Sequence, residues 1–513
     1  MRPMSDRAVF DAVRLRPLLS ATGPEIDRRS PLTGEPLGSL PTSTPDDIRA
    51  AAVGVRDVQT DWAARRVRER AAVLLQFHDY LLDHRDAFVD LLQLEGGKAR
   101  LVATEEVLHV ALTARYYGRT AARHLRPERG SGVFPLLTRI DRLFVAKGVV
   151  GVIAPWNYPL TMGVSDALAA LVAGNGVLLK PDLQTPLAAL AAIEGLRACG
   201  MPAPLWAVVL GAGDVVGPAV IDYVCFTGST ATGRSVAVRC AERLIGCSLE
   251  LGGKNPLLVL ADADVEKAAE GAVRACFANA GQLCVSTERI YVAEPLAQAF
   301  TEAFLRRTAA LRLGGSLDFR HEMAGMINRA QLDRVGGHVE NARSLGAVVL
   351  TGGHRRPDLG ELYFEPTALS GVTAEMDCYA QETFGPLVSI YSVADDAEAV
   401  RRANDSAYGL NASVWTTDPV RGRAVAAQIR CGTVNVNEGY GATFASIDAP
   451  MGGMKASGLG RRQGREGIRR FVEVQSVGTQ SGLPIAPSHG LGAQAFSTAM
   501  TGALRLLKRV GRA

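Results

Sequence analysis

The chain has 513 residues, 47% hydrophobic and 21% charged, with a formal net charge of +4. That length exceeds one simple core, so two or three domains are expected. The thin charge, with no basic block interleaved with aromatics, argues against nucleic-acid binding. No run of about 18 apolar residues is available for a membrane span.

Residues 1–45 are rich in Pro and Ser and read as an arm leading into the fold. The tract 46–94 reads as helical, with Ser43 or Thr44 as its cap and Val67, Leu74, Leu75 and Leu81 at helical spacing. The pattern repeats over 105–125. From Arg139 the period changes, and 143–146 and 149–153 are β-type runs. Short apolar runs at 177–179, 207–210, 223–226 and 257–260 suit buried parallel strands, with an Ala-rich helical stretch at 185–199. This is the pattern of an α/β protein with a doubly wound parallel sheet. A second alternating region starts near Val265, with strands near 289–292 and 388–391. After about Leu483, Phe496, Met500, Ala503, Leu507 and Val510 fall on one helical face, and Arg505, Lys508, Arg509 and Arg512 on the other. Such a basic amphipathic helix can pack on a neighbouring subunit, cover a substrate mouth, or make peripheral contact with a membrane.

The eight cysteines are Cys199, Cys225, Cys240, Cys247, Cys276, Cys284, Cys378 and Cys431. None forms a CxxC pair and no His cluster has zinc-ligand spacing, so no metal site is expected. Scattered thiols and an N-terminus without a signal-peptide core point to the cytoplasm. Cys284 is set apart by Asn279-Ala280-Gly281-Gln282-Leu283-Cys284. Gly281 permits a tight backbone approach, and a helix starting at Cys284 would favour the thiolate. Glu250 ends the apolar run 247–249 and meets Gly252-Gly253, so its carboxylate should point into the crevice at the strand ends. Asn157 lies in Pro155-Trp156-Asn157-Tyr158-Pro159 and offers an amide. A thiol, an amide for the oxyanion and a carboxylate to activate water are what aldehyde oxidation through a thioester requires. The segment Phe226-Thr227-Gly228-Ser229-Thr230 ends a strand and opens a helix, a place for a pyrophosphate at Gly228 and Ser229. Gly211, Gly213 and Gly217 give only a weak glycine signal.

Together these segments resemble the NAD(P)-dependent aldehyde dehydrogenase superfamily, over about residues 46–477. The resemblance implies Cys284 as nucleophile, Asn157 with the Cys284 N–H as oxyanion donors, and Glu250 as general base. It implies Trp156 and Lys180 at the cofactor, Lys180 against the adenosine ribose. It also implies Glu382 on the nicotinamide ribose and Phe384 against the ring, within Glu382-Thr383-Phe384-Gly385-Pro386. The late stretch 450–461 matches a Gly-rich signature with Met451 where Phe is usual, and reads as architectural. The implied domains are coenzyme-binding over 1–136 and 157–252, catalytic over 253–452, and a bridging sheet over 137–156 and 470–482. A return segment covers 453–469 and a tail 483–513. That sheet joins subunits in the family, implying a homodimer or homotetramer. Glu250 disfavours a CoA-acylating enzyme, which needs no such water. A catalytically silent NAD(P)-binding member is the alternative of another class.

Within the superfamily, the stretches 435–438 and 446–455 resemble actinobacterial succinate-semialdehyde dehydrogenases. Two positions depart from that pattern. The two Arg that hold the substrate carboxylate in such enzymes fall here at Ser165 and Ala278, and only Ser446 matches the accompanying Ser. With Tyr158, Met162 and Phe444 these give a more apolar mouth, suited also to aliphatic or aromatic aldehydes, unless Arg274 reaches it from one turn earlier. A third departure is Leu183, where NAD-preferring members often carry Glu. Without that carboxylate a 2′-phosphate is not repelled, so NADP is favoured over NAD, although Asp182 is adjacent.

Overall fold

The computed structural model describes residues 11–134, 137–211, 220–481, 485–487 and 490–509. Two parallel-dominated sheets and a small antiparallel one organise it. The first sheet has six strands in the order Gly458–Leu459, Gly246–Glu250, Tyr223–Thr227, Val149–Ile153, Gly176–Lys180 and Trp206–Val208. All neighbours are parallel except the edge strand Gly458–Leu459. Side chains alternate across this sheet, as a period of two demands. Val150, Val152, Val177, Leu179 and Cys225 face a core shared with the helices Pro159–Val172 and Leu187–Ala198. Val149, Leu178, Val224 and Phe226 face the opposite core, closed by Ile48, Ala52 and Val55 of helix Pro45–Ala64 and Val236 and Cys240 of helix Thr230–Glu242. The sheet is therefore doubly wound, as expected.

The long N-terminal helical tract is three helices, Pro45–Ala64, Val67–Asp83 and Arg85–Gly96, followed by Arg100–His124. Thr44 caps the first through a capping box with Asp47. The breaks fall where Arg65 turns extended (ψ 146°) and where His84 leaves helical geometry (ψ 15°). Gln59, Trp62 and Arg70 donate to the carbonyls of Gly174 (2.8 Å), Leu171 (2.8 Å) and Val172 (3.0 Å). They satisfy acceptors left over at the end of helix Pro159–Val172, which the helix cannot pair itself. The segment expected as an arm is built in as well: Glu25–Arg29 and Pro36–Pro41 form an antiparallel pair, and Leu15 and Leu40 are fully buried.

The second sheet has seven strands in the order Val348–Thr351, Thr367–Ser370, Leu387–Val393, Thr287–Ala293, Asn255–Val259, Asn411–Trp415 and Thr433–Val436. Only its first pair is antiparallel. The run 257–260 thus opens this sheet rather than continuing the first. The third sheet pairs Val472–Gln480 with Thr138–Ala146, and that strand with Glu128–Gly130, all antiparallel. Its outer strand is exposed from Glu473 onward.

Two expected boundaries need correction. The bridging segment was placed over 137–156, but Val149–Ile153 sits inside the first sheet between Tyr223–Thr227 and Gly176–Lys180. The reason is composition: Val-Val-Gly-Val-Ile can be buried on both faces, whereas Thr138–Ala146 carries Arg139, Asp141 and Arg142 and stays half exposed. The segment 453–469 is more than a return, because Gly458–Leu459 closes the edge of the first sheet against Gly246–Glu250. In the tail, helix Ala493–Arg509 has no buried residue. Its proposed apolar face therefore packs against no described part of the chain, and Val510 and Arg512 lie outside the described residues. No described helix is long and apolar enough to cross a membrane.

Asn175 ties the small sheet to the first one. Its fully buried side chain accepts from Gly148 N–H (2.9 Å) and donates to the carbonyls of Ala170 (3.0 Å) and Phe471 (3.0 Å). The Ala170 and Phe471 carbonyls also accept from Asn175 N–H (3.0 Å) and Lys147 N–H (3.2 Å), so Asn175→Ala would leave the Gly148 N–H unpaired in a dry site, at a cost of about 1–3 kcal/mol if it finds no water. A clear drop in the urea midpoint with unchanged m-value is expected, and an unchanged midpoint would contradict this accounting.

Candidate active site

Cys284 lies in a turn between helix Val265–Phe277 and strand Thr287–Ala293. No helix starts at it, so the expected help from helix N-terminal amides does not exist. The preceding tight turn, Ala278–Gly281, carries Asn279 and Ala280 at φ 52° and 53° and Gly281 at 69°. Left-handed backbone at non-glycine residues persists only where the surroundings impose it. Here they do. Gln282 donates to the Asn279 carbonyl (3.1 Å) and accepts from Ile327 N–H (2.9 Å). A Cβ on Gly281 would lie 2.1 Å from the Gly385 carbonyl oxygen. Asn255 then donates to the carbonyls of Cys284 (2.8 Å) and Ser286 (2.7 Å), fixing the thiol-bearing residue from the second sheet.

Glu250 ends its strand as expected and faces Cys284 across a cavity of about 190 Å³. This cavity gathers Cys284, Glu250, Asn157, Trp156, Tyr158, Met162, Gly228, Ser229, Glu382 and Phe384. Five other expected residues lie elsewhere. Lys180 ends strand Gly176–Lys180 outside the cavity lining. Ala278 lines a larger neighbouring cavity of about 780 Å³ together with Arg274, Glu105, Glu438 and Tyr440. Ser165 is buried on helix Pro159–Val172, and its hydroxyl has no partner among the described residues. Phe444 stacks on His109 at 4.2 Å between ring centroids. Ser446 is exposed just after the short helix Gly441–Ala445 and reaches neither cavity, because that helix ends before turning inward. Arg274 does face the larger cavity, but Glu105 already holds it at 2.9 Å.

Burial dominates the electrostatics. It pushes the Cys284 thiol up to about 12, with the nearby carboxylates of Glu382 and Glu250 adding to the shift. Glu250 is raised to about 7, again by burial, with Arg462 pulling the other way. Its Oε1 has no hydrogen-bond partner among the described residues. At neutral pH this site holds a thiol beside a half-ionised carboxylate that is free to accept a proton. The Asn157 amide donates to the Gln282 carbonyl (3.1 Å), which orients it and leaves its second N–H for another acceptor.

The rim of the cavity fits a dinucleotide. Ser229 caps helix Thr230–Glu242, accepting from Thr232 N–H (3.2 Å), and presents that helix end with Gly228 at the cavity wall. Anions are favoured at such an end. Glu382, raised to about 8 by burial and by Glu288, accepts from Gly253 N–H (2.8 Å). A Cβ on Gly252 would lie 2.3 Å from its Oε2. Phe384, at φ 56°, meets Trp156 edge-on at 5.5 Å. Glu288 accepts from the N–H groups of Thr383 and Phe384 (3.0 Å each), and Gln331 donates to their carbonyls at 3.1 and 2.7 Å. Lys254 pairs with Glu288 in the same buried site. Sequence reasoning missed Glu288, Gln331, Lys254 and Asn255 as supports. Only Lys254-Asn255 carried a signal, by adjoining Gly252-Gly253. Beside Lys180, Asp182 accepts from the N–H and the side-chain amide of Gln184 at 2.9 and 3.3 Å, so it is engaged in its own turn. Leu183 packs half-buried against the core. The weak glycine signal at Gly213 and Gly217 lies outside the described residues.

Comparison with known proteins agrees with this geometry. Residues 19–477 match the model of the aldehyde dehydrogenase family. A Mycolicibacterium smegmatis protein named "Putative succinate-semialdehyde dehydrogenase [NADP(+)]" is 47% identical over 98% of each chain. The Escherichia coli "Succinate-semialdehyde dehydrogenase [NADP(+)] GabD" is 34% identical over 88% of this chain and 94% of its own. Among solved structures, betaine aldehyde dehydrogenase from Staphylococcus aureus in complex with NAD+ superposes with a TM-score of 0.86 at 29% identity, over 90% of this chain and 92% of that one. With a family match across most of its length and relatives this similar, the chain belongs to the aldehyde dehydrogenase family.

Proposed function

We propose that this protein oxidises succinate semialdehyde to succinate, with NADP as the hydride acceptor. The observation that carries the reaction class is the meeting of Cys284, Asn157 and Glu250 in one small cavity, with Glu250 titrating near neutrality. Cys284 Sγ adds to the aldehyde carbon while its proton passes to Glu250, which lines the same cavity and whose Oε1 has no hydrogen-bond partner among the described residues. The second N–H of Asn157 and the Cys284 N–H hold the developing oxyanion. When bound, NADP would supply the hydride acceptor through which this adduct becomes a thioester. The residues suited to hold it are Ser229 and Gly228 at the helix end, Lys180 and Glu382 at the riboses, and Trp156 and Phe384 at the ring. Glu250, once its first proton has passed to solvent, takes a proton from water as that water attacks the thioester and returns it to the departing sulfur, releasing succinate and the Cys284 thiol.

The substrate rests on the names of the relatives, and NADP preference also on Leu183 and on the engagement of Asp182. The exposed outer strand Val472–Gln480 supports a homo-oligomer joined through the small sheet. Eight free thiols support a cytoplasmic setting. Helix Ala493–Arg509, whose apolar face is only partly buried, supports either a subunit contact or a peripheral membrane contact, and liposome co-sedimentation with and without residues 490–513 separates the two.

Three measurements test the proposal. The wild-type kcat/KM for succinate semialdehyde should exceed that for pentanal by at least tenfold, and NADP should exceed NAD; pentanal preference would point instead to an aliphatic aldehyde dehydrogenase. Where thioester hydrolysis limits turnover, kcat should rise with pH through about 7, as Glu250 ionises into its basic form. Glu250→Gln should abolish that rise and lower kcat by about 10²–10⁴-fold, and the NADPH burst should slow as well, because Glu250 also takes the Cys284 proton. Since burial holds Cys284 as a thiol, mass-mapped alkylation of its peptide in the cofactor-free protein should accelerate with pH well beyond 8.5, the free-thiol midpoint. A plateau below pH 8 would show a group activating it in the resting state.

A further inference from the structure

The substrate proposed above carries a carboxylate, and neither position of the usual cation pair can hold it, being Ser165 and Ala278. Behind Met162, however, lies a buried cluster with one positive charge in excess. Asp166 faces two guanidiniums, Arg462 at 3.3 Å and Arg470 at 2.6 Å. Arg470 is further satisfied by Ser248 Oγ (2.9 Å). Arg462 is less well satisfied: its Nη2 has only the 3.3 Å ion pair with Asp166 and its Nε, like that of Arg470, has no hydrogen-bond partner among the described residues, although Arg462 is only 2% exposed. Its remaining nitrogen, Nη1, rests at 2.8 Å on the thioether sulfur of Met162, a poor acceptor. Glu250, half-protonated at neutrality, supplies only part of the missing negative charge.

Other unpaired groups surround this guanidinium. Ser165 Oγ and His109 Nδ1 are buried without partners among the described residues. Met162, Ser165 and Asp166 stand at i, i+3 and i+4 on helix Pro159–Val172 and so share one face. Native proteins pair their buried polar groups, and several unpaired donors together call for an absent acceptor. A carboxylate answers both the charge and the donors. We infer that Arg462, with Ser165 and His109 beside it, is the recognition site for the distal carboxylate of the substrate, and that Met162 is the gate between it and Cys284. The inference rests on the substrate proposed above. The backbone of Arg462 is held by a reciprocal pair with Met451 (2.8 and 2.7 Å), so the cation is pre-organised. Met162 lines the Cys284 cavity, and its unbranched thioether can swing aside without backbone movement.

The test compares succinate semialdehyde with pentanal, which has a similar chain but no charge. Arg462→Met should lower the kcat/KM ratio of the two by on the order of 100-fold or more, chiefly through the KM of the semialdehyde. Met162→Ile, which stiffens the gate, should lower the ratio in the same direction. In the wild type, which needs no variant to fold, succinate should inhibit at least tenfold more tightly than pentanoate. A ratio unchanged in Arg462→Met, or the two substrates falling in parallel with a shifted kcat–pH profile, would overturn the inference and make Arg462 a positioning residue for Glu250. Equal inhibition by succinate and pentanoate would overturn it too. A wild type that prefers pentanal fails the substrate proposal itself, whereas a wild type that prefers the semialdehyde with an unaffected Arg462→Met ratio fails only the inference.

Discussion

Four residues, 251–254, carry the chain from the end of one parallel sheet to the start of the next, and the active site depends on how tightly they do so. Glu250 is the last residue of strand Gly246–Glu250, and Asn255 is the first of strand Asn255–Val259. So short a crossing forces the ends of both sheets to face one cleft, where ligands of α/β proteins bind. It also brings backbone against groups that leave no room for a side chain. A Cβ on Gly252 would strike Glu382, and one on Gly253 would lie 2.6 Å from the Cys284 carbonyl oxygen. The same segment is bonded on all sides. Gly253 N–H donates to Glu382, the Gly252 carbonyl accepts from Ser457 Oγ at 2.6 Å, and Asn255 holds Cys284. The proposed general base, nucleophile and ribose-binding carboxylate are thus placed by one turn of chain.

Enclosure by two sheets sets the chemistry as well as the geometry. The groups of the site are shifted in the direction that burial dictates: Cys284 to about 12, Glu250 to about 7 and Glu382 to about 8. A carboxylate that titrates near 7 can both accept and release a proton at working pH, which an ordinary surface Glu cannot do efficiently. Around this site the protein buries further ion pairs, including Arg28–Glu95, Lys98–Glu106 and Lys254–Glu288. Such pairs contribute little net stability. Their value here is positional. Glu95 also accepts from the N–H groups of Leu187 and Ala188 at 2.6 and 3.0 Å, Glu106 from Thr161 N–H at 2.9 Å, and Glu288 from the strained backbone of Phe384. Each fixes a backbone segment near the cleft that hydrophobic residues of the same size could not orient.

Much of this was legible in the sequence because its signals are local. Continuous apolar runs placed most strands of the first sheet and the inner strands Asn255–Val259, Thr287–Ala293 and Leu387–Val393 of the second, though not Asn411–Trp415 or the edge strands, and the motif around Glu250 and the Asn279–Cys284 segment named residues that do converge. Where reading failed, a nonlocal fact decided. The resemblance groups Val149–Ile153 with the neighbouring Thr138–Ala146, yet its two faces are covered by the following helix Pro159–Val172 and by the sequence-distant helix Pro45–Ala64. Cys284 looked like a helix start because Gly281 and the residues after it permit one, but Asn255 and the Gly385 carbonyl hold that stretch as a turn into a strand. Ser446 matched a pattern whose backbone path differs here. Arg462 shows the limit most sharply. In Gly460-Arg461-Arg462-Gln463-Gly464 it reads as one more surface cation, and only the packing of helix Pro159–Val172 over it makes it a buried charge.

That burial matters for how substrates can be told apart. The larger cavity at the mouth carries more charged residues, but its cation is already neutralised, with Arg274 held by Glu105 and both side chains in partial contact with solvent at 52% and 27% exposure. Water and salt screen such a pair, so it discriminates weakly between charged and neutral aldehydes. A guanidinium at 2% exposure with unpaired N–H groups behaves differently. It cannot recruit water freely, so an anion that reaches it relieves a standing cost, and a neutral chain of the same length leaves that cost in place. The proposed carboxylate site behind Met162 would therefore discriminate more strongly than the charged rim, although the rim is what a surface inspection would single out.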